Sequence, residues 1–359
     1  MTKKLRVGIL FGGRSGEHEV SLQSAASVLK AIDRRKFDVV RIGINKAGHW
    51  LIADAAEALL KSAGAAAAQN EAEAVESSVA LRGLDVVFPV LHGTFGEDGT
   101  IQGLLELAGI AYVGSGVLGS SAGMDKDVMK RLFTQAKLPQ VRSVTLLRTD
   151  WEQSPRKAVA RVEAALKYPV FVKPANMGSS VGISKAHDRR ELTKALALAA
   201  RYDRKLVVEL GVGGKTAKAR EFEVGVLGND APEASVVGEI VPGKEFYDYE
   251  AKYISDDSVP VIPAKLSKAE SKQIREMAVE AFRACDLTGL ARVDFLMEPD
   301  GKRRIYLNEV NTMPGFTRIS MYPKLWEATG VSYKELITRL IELALERQAE
   351  KSRTVYSRE

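Results

Sequence analysis

The chain has 359 residues, 45% of them hydrophobic and 27% charged, the balance of a globular protein rather than a disordered or fibrous one. At roughly 150 residues per domain it has room for two to three domains with more than one core, and a single cysteine, Cys285, excludes an intrachain disulfide or a thiolate metal cluster. The net charge of +6 sits on short basic runs at residues 34–36, 189–190 and 302–304 with acids nearby and no interleaved aromatics, so these are solvated faces and nucleic-acid binding is not expected.

Residues 5–11 read as a buried first strand. The N-terminus is charged like a signal peptide, but its apolar run ends at Phe11 with no small-residue cleavage site after it. No stretch approaches the ~18–20 uninterrupted apolar residues of a membrane span, so a cytoplasmic protein with no membrane partner is expected. Helical spacing over 20–32, β-rich runs at 37–44 and 85–90, a helix over 99–108 and a short strand at 110–113 alternate as a parallel α/β sheet does. The Ala/Glu-rich segment 53–74 reads as a surface helix or an insertion, with no function attached. Residues 114–123, rich in Gly and Ser, read as a boundary. A helix over 125–136, a strand at 141–147, a helix at 155–166 and a strand at 170–173 follow. Strands at 206–209, 221–227, 235–241, 290–297 and 304–310, with few helices between them, then predict a mixed or antiparallel sheet. Helices over 268–285 and 333–347 complete this α+β region, and residues 350–359 are expected to fray. The predicted fold class is α/β followed by α+β.

Three pattern matches are decoys. Gly114-Ser115-Gly116-Val117-Leu118-Gly119 fits G-x-G-x-x-G, but no acid follows at the ~20 residues needed to hold a ribose. Gly214-Lys215-Thr216 resembles the end of a phosphate loop, yet the first glycine of that pattern would fall at Glu209. His18, His49, His92 and His187 have no metal-ligand spacing, so zinc is not expected.

Stronger signals come from the loops that leave strands. Gly12-Gly13-Arg14-Ser15-Gly16-Glu17 and His92-Gly93-Thr94-Phe95-Gly96-Glu97 lie at the carboxyl edge of one parallel sheet, where small residues admit a ligand to the backbone. Tight βα turns are the plain alternative. Lys173 ends a β run before Gly178, Ser179, Ser180 and Gly182, which suits a phosphate lid as well as an ordinary hairpin. Alternate residues of a strand share a face, so Arg292 points with Asp294 and Glu309 with Asn311. Two carboxylates and an amide converging there make a hard-oxygen Mg²⁺ site, against the alternative of plain salt-bridged strands.

In order, the motifs G-G-x-S-x-E-x-E-V-S, H-G-x-x-G-E-D-G, M-D-K, K-P-x-x-x-G-S-S-V-G, Y-x-Y-E-A-K-Y, R-x-D and N-E-x-N-T-x-P-G resemble those of the D-alanine–D-alanine ligases of the ATP-grasp superfamily. The resemblance implies an N-terminal α/β substrate-binding lobe (1–122), followed by a two-lobed ATP-grasp fold. Its central lobe is 123–213 and its C-terminal lobe 214–359, the latter with the magnesium site and a closing loop. It implies Lys126 and Lys173 on the ATP phosphates, Glu209 at the adenine and Glu221 at the ribose. Asp294, Glu309 and Asn311 would hold two Mg²⁺, with Mn²⁺ as a substitute. Arg292 and the Gly315 N–H would face the reacting carbonyl, and Glu17 the ammonium of the first D-alanine, with His92 in the same substrate site. Ser320 would bind the second D-alanine's carboxylate. Lys252, as a substrate-binding residue, and Tyr253 belong to the closing loop, with Tyr253 reaching towards Ser179 and Glu17. The implied reaction joins two D-alanines through an acyl phosphate, for peptidoglycan precursor synthesis, in a homodimer. A D-alanine–D-lactate ligase and a nucleotide-sensing binding protein stay open as alternatives.

Overall fold

The computed structural model describes residues 4–62, 74–213, 218–241, 259–299 and 303–357. The first elements in chain order are β1 (Leu5–Gly12), α1 (His18–Ala31), β2 (Phe37–Ile44), β3 (Trp50–Ile52), α2 (Ala53–Lys61), α3 (Ser77–Ala80), β4 (Val86–Val90), α4 (Thr100–Leu107) and β5 (Ala111–Tyr112). They form a sheet in the order β3-β2-β1-β4-β5, parallel except for the antiparallel β3. Val7, Ile9, Leu10 and Phe11 are all fully buried. Both faces of β1 are therefore covered, which is why it reads as a continuous apolar run and not as an alternation. β1 ends at Gly12, where φ is +91° and a Cβ would lie 2.1 Å from the Ile44 carbonyl oxygen. Only glycine fits that exit into the loop before α1. Part of the Ala/Glu-rich segment is α2; residues 63–73 lie outside the described residues.

Residues 114–123, expected as a boundary, are largely helix: α5 (Val117–Met124) leads into α6 (Lys126–Gln135). Glycine is a poor helix former, but here it permits contact. A Cβ on Gly119 would stand 2.4 Å from the Asp286 carbonyl oxygen, and one on Gly123 2.8 Å from a Thr312 methyl. Asp125 caps α6 by accepting from the backbone N–H groups of Asp127 and Val128.

A four-stranded sheet follows, from β6 (Ser143–Leu147), α7 (Arg148–Gln153), α8 (Pro155–Ala165), β7 (Val170–Pro174), β8 (Ser184–Ala186), α9 (Arg189–Ala199) and β9 (Lys205–Leu210). Its order is β6-β9-β7-β8, antiparallel throughout. Helix α9 was not expected; the basic pair Arg189–Arg190 opens it, Asp188 caps it, and Leu192, Ala195, Leu196 and Ala199 bury its inner face.

The last sheet comprises β10 (Arg220–Gly228), β11 (Glu233–Val241), β12 (Val259–Val261), β13 (Gly289–Met297) and β14 (Ile305–Asn311), in the antiparallel order β12-β11-β10-β13-β14. α10 (Lys268–Ala284) covers one face with Ile274, Ala278, Ala281 and Phe282. α11 (Met321–Thr329), also unexpected, carries Pro323 in its first turn, where a missing N–H costs little. α12 (Tyr333–Lys351) runs two residues into the tail expected to fray. It returns to the first sheet, and Leu336, Leu340 and Ile341 share a core with Val7, Phe88 and Trp326. The α/β-then-α+β class holds. No helix among the described residues is long and apolar enough to cross a membrane.

Candidate active site

Strands β10, β13 and β14 place three carboxylates in one row. Glu223 pairs across the sheet with Asp294, and Asp294 with Glu309. Like charges directly opposite on a sheet destabilise it, so this row has no structural benefit of its own. Two residues along, on the same face, Arg292 stands opposite Asn311. Its guanidinium donates to both Asp294 oxygens at 2.7 Å and lies 3.1 Å from a Glu223 oxygen. The Asn311 amide donates to Asp294 at 3.0 Å. A register shift beyond Asp294 leaves Asn308 unpaired in the ladder. Bulges of this kind re-aim neighbouring side chains. Arg292 meets Asp294 as expected; Asn311 also reaches Asp294, and Glu309 stands opposite it in the register. All the donors are hard oxygens, the set suited to Mg²⁺.

A second carboxylate cluster hangs from the carboxyl edge of the first sheet. Glu17, His92 and Glu97 offer atoms within 4.8 Å of one another. The Glu97 carboxylate accepts from the Gly93 N–H at 2.8 Å and the Met313 N–H at 2.9 Å. Burial, reinforced by the charge of Glu17, pushes its pKa up to about 7. Burial also lowers the pKa of His92, which keeps the ring neutral. Its Nδ1 donates to the Met313 carbonyl at 2.9 Å, which leaves Nε2 to accept from the Ser24 hydroxyl at 3.0 Å. Both nitrogens are thus bonded within the protein, which ties His92 to Met313 and Ser24. The loop after β7 lies over Glu17: a Cβ on Gly178 would stand 2.3 Å from its Oε1. Next to it, Ser179 takes φ +46°, and its buried Oγ has no hydrogen-bond partner among the described residues.

The lysines meet on the far side of that loop. Lys126, at the start of α6, donates to the Met177 carbonyl at 2.9 Å and lies 3.8 Å from Glu309. Lys173 pairs with Glu209 at 2.6 Å, and Lys130 holds the other oxygen of Glu209 at 2.7 Å. Burial alone would raise the pKa of Glu209, but the two ammonium groups hold it down at about 2. Burial opposes the charge on Lys173 too, and Glu209, Glu309 and Glu221 more than offset it, so its pKa is raised.

A cleft of about 270 Å³ connects these groups, lined by Glu17, His92, Lys126, Ser179, Arg292, Glu309, Asn311, Gly315 and Ser320. Two family models match the chain: the D-ala D-ala ligase N-terminus over residues 6–115 and the D-ala D-ala ligase C-terminus over 132–342. The chain belongs to the D-alanine–D-alanine ligase family. It is 51% identical to the D-alanine–D-alanine ligase of Natranaerobius thermophilus, with 98% of each chain covered, and 50% identical to that of Bacillus cytotoxicus, with 99% of each covered. Among solved structures it is similar to the D-alanine-D-alanine ligase from Coxiella burnetii, at a TM-score of 0.82 and 36% identity over 98% of this chain and 97% of that one. A D-Ala:D-Ser ligase from Enterococcus faecalis matches with the same TM-score of 0.82 and 37% identity over 95% of this chain and 100% of that one.

As a member of the ligase family the chain is an enzyme, and the reading as a nucleotide sensor is disfavoured. Asp294, Lys173, Glu209 and Glu221 are not among the residues that line this cleft. Lys252 and Tyr253 lie outside the described residues, as do residues 214–217 of the long connection after β9. Sequence reasoning missed three participants. Glu223 sits two residues beyond Glu221 on the same strand face, so alternation could have found it. Glu97 stood inside a quoted motif. Lys130 follows Lys126 by one helical turn and is buried, a position where lysine is uncommon without a partner.

Proposed function

We propose that the cleft binds ATP and two D-alanines together and directs the reaction with the groups described above. The chain is an ATP-dependent D-alanine–D-alanine ligase. A carboxylate is a poor electrophile, so an oxygen of the first D-alanine's carboxylate bonds to the γ-phosphorus of ATP, and the bond to the bridging oxygen breaks to release ADP. The amine of the second D-alanine then bonds to the acyl carbon. Phosphate leaves with the carboxylate oxygen, and the amine's proton passes to solvent.

The observation that carries this reading is the row Glu223–Asp294–Glu309 with Arg292 bound into it, facing Glu17 across one cleft. We assign Asp294, Glu309 and Asn311 to two Mg²⁺, with Mn²⁺ as a substitute; their all-oxygen donor set fits. When bound, Mg²⁺ offsets charge on the phosphoryl oxygens. Lys126 and Lys173 hold the phosphates from the other side, and Glu221 lies towards the ribose. Glu209 acts at the nucleotide through Lys173, because both of its oxygens are taken by lysines. Glu17 holds the first ammonium. Arg292 and the Gly315 N–H stabilise the oxyanion as the amine attacks. Ser320 receives the second carboxylate. A Cβ on Gly315 would lie 2.8 Å from Ser320 Oγ, so the oxyanion and carboxylate positions adjoin. Ser179, with Lys252 and Tyr253 of the closing loop, covers the site, since water would hydrolyse an acyl phosphate.

We divide the chain into lobes at 1–122, 123–213 and 214–359, and infer a cytoplasmic homodimer supplying peptidoglycan precursor synthesis. Phosphate release measured with ATP, Mg²⁺ and D-alanine tests the reading. Release should require all three components; ATP hydrolysis indifferent to D-alanine would refute it.

A further inference from the structure

Among the described residues, three cations line the cleft: Lys126, Arg292 and Lys324. Two of them are committed. Lys126 lies 3.8 Å from Glu309 and donates to Met177, and Arg292 is clasped by Asp294 and Glu223. Lys324 has no carboxylate partner among the described residues, although it is half-buried and its neighbours Leu325 and Trp326 are in the core. It stands on α11 one turn after Ser320, a spacing that puts both on one face of the helix.

The charge in the cleft gives Lys324 a task. Glu17, Glu97, Glu223 and Glu309 line the same space, and a second amino acid brings one more carboxylate into it. Ser320 Oγ is within 2.8 Å of Thr317 Oγ1 and accepts from the Thr317 N–H at 3.0 Å. It can donate one neutral hydrogen bond and supplies no positive charge. An anion drawn into a partly desolvated site among other anions needs a cation.

We propose that Lys324 is the cation that binds the α-carboxylate of the second, attacking amino acid, beside Ser320, and so makes the enzyme selective for a nucleophile that carries a free carboxylate. The proposal rests on the ligase reading above and adds a residue to its second-substrate position. Lys324 touches only the carboxylate. In this role it takes no part in the phosphoryl transfer.

D-Alaninamide separates these roles. It lacks the carboxylate that ATP activates, so it can serve only as the attacking amine. With equimolar D-alanine and D-alaninamide, ATP and Mg²⁺, the products are D-alanyl-D-alanine and D-alanyl-D-alaninamide, resolved by chromatography. Lys324→Met should lower the ratio of free-acid to amide product at least about tenfold, the loss expected for one charge-assisted contact. Lys324→Arg should restore most of that ratio. An unchanged ratio in Lys324→Met, or a loss of both products in equal proportion, overturns the proposal and leaves Lys324 a packing role. Failure of the wild-type enzyme to form either product would instead refute the ligase reading itself.

Discussion

The Arg292 guanidinium closes on both oxygens of Asp294 at 2.7 Å each. A residue assigned to the oxyanion and a residue assigned to the metal therefore hold each other in place before any ligand arrives. Such bidentate pairs fix geometry as well as charge. Arg292→Met removes an oxyanion donor and releases Asp294 in the same step. We expect kcat to fall at least ~10²-fold, the usual loss for one such donor. Steady-state kinetics decide it: near-normal kcat with a raised KM for D-alanine alone would mean that Arg292 only binds substrate.

Asp294→Asn and Glu309→Gln each take one negative oxygen from the row. Lys173, Lys130 and Glu209 are left intact, so the nucleotide end of the cleft should survive. Turnover is expected to drop far more than ATP affinity, as measured by titration calorimetry beside kcat. Full recovery of kcat in both variants at ordinary Mg²⁺ concentrations would contradict the metal assignment.

Glu209 is held between two buried lysines, and this gives a pH signature. Its folded pKa, about 2, lies below the ordinary 4.5. The stabilisation is therefore present above about pH 4.5 and is lost as pH falls towards 2. Glu209→Gln leaves Lys130 and Lys173 facing each other without their anion, which should cost about 3–5 kcal/mol. The variant's stability should also change less than that of the wild type between those two pH values. Denaturant unfolding at a series of acid pH values reads both effects; parallel wild-type and variant curves would show that the triad does not hold Glu209 ionised.

Glu97 carries the opposite sign. Its pKa of about 7 lies above the ordinary 4.5, so its contribution is complete below pH 4.5 and is lost as pH rises through 7. Glu97→Gln cannot ionise and should remove that decline, giving a flatter stability profile from about pH 5 to 8 than the wild type shows. A decline of unchanged size in the variant would assign it to another group.

Much of this was legible because buried parallel strands and amphipathic helices have strong signatures. The expected strand at 5–11 is β1, extended to Gly12, and the expected helix at 268–285 is α10, ending at Ala284. What stayed hidden was set by tertiary contact. Gly119 and Gly123 read only as part of a boundary, and the sequence did not show that a helix there comes close to Asp286 and Thr312. Within the site, alternation paired Arg292 with Asp294 and Glu309 with Asn311. It could not show that Glu223 would meet Asp294, because strand register is decided across the sheet and not along the chain. Nor could it show that His92 would spend both nitrogens on Ser24 and Met313.

The central claim is that a D-alanine carboxylate is activated as an acyl phosphate in this cleft. D-Alanine labelled with ¹⁸O in both carboxylate oxygens, supplied with ATP and Mg²⁺, tests it in one mass-spectrometric measurement of the released phosphate. For each D-alanyl-D-alanine formed, one phosphate should carry one ¹⁸O, because the carboxylate oxygen that attacks the γ-phosphorus leaves with it. Dipeptide accompanied by unlabelled phosphate would contradict the account.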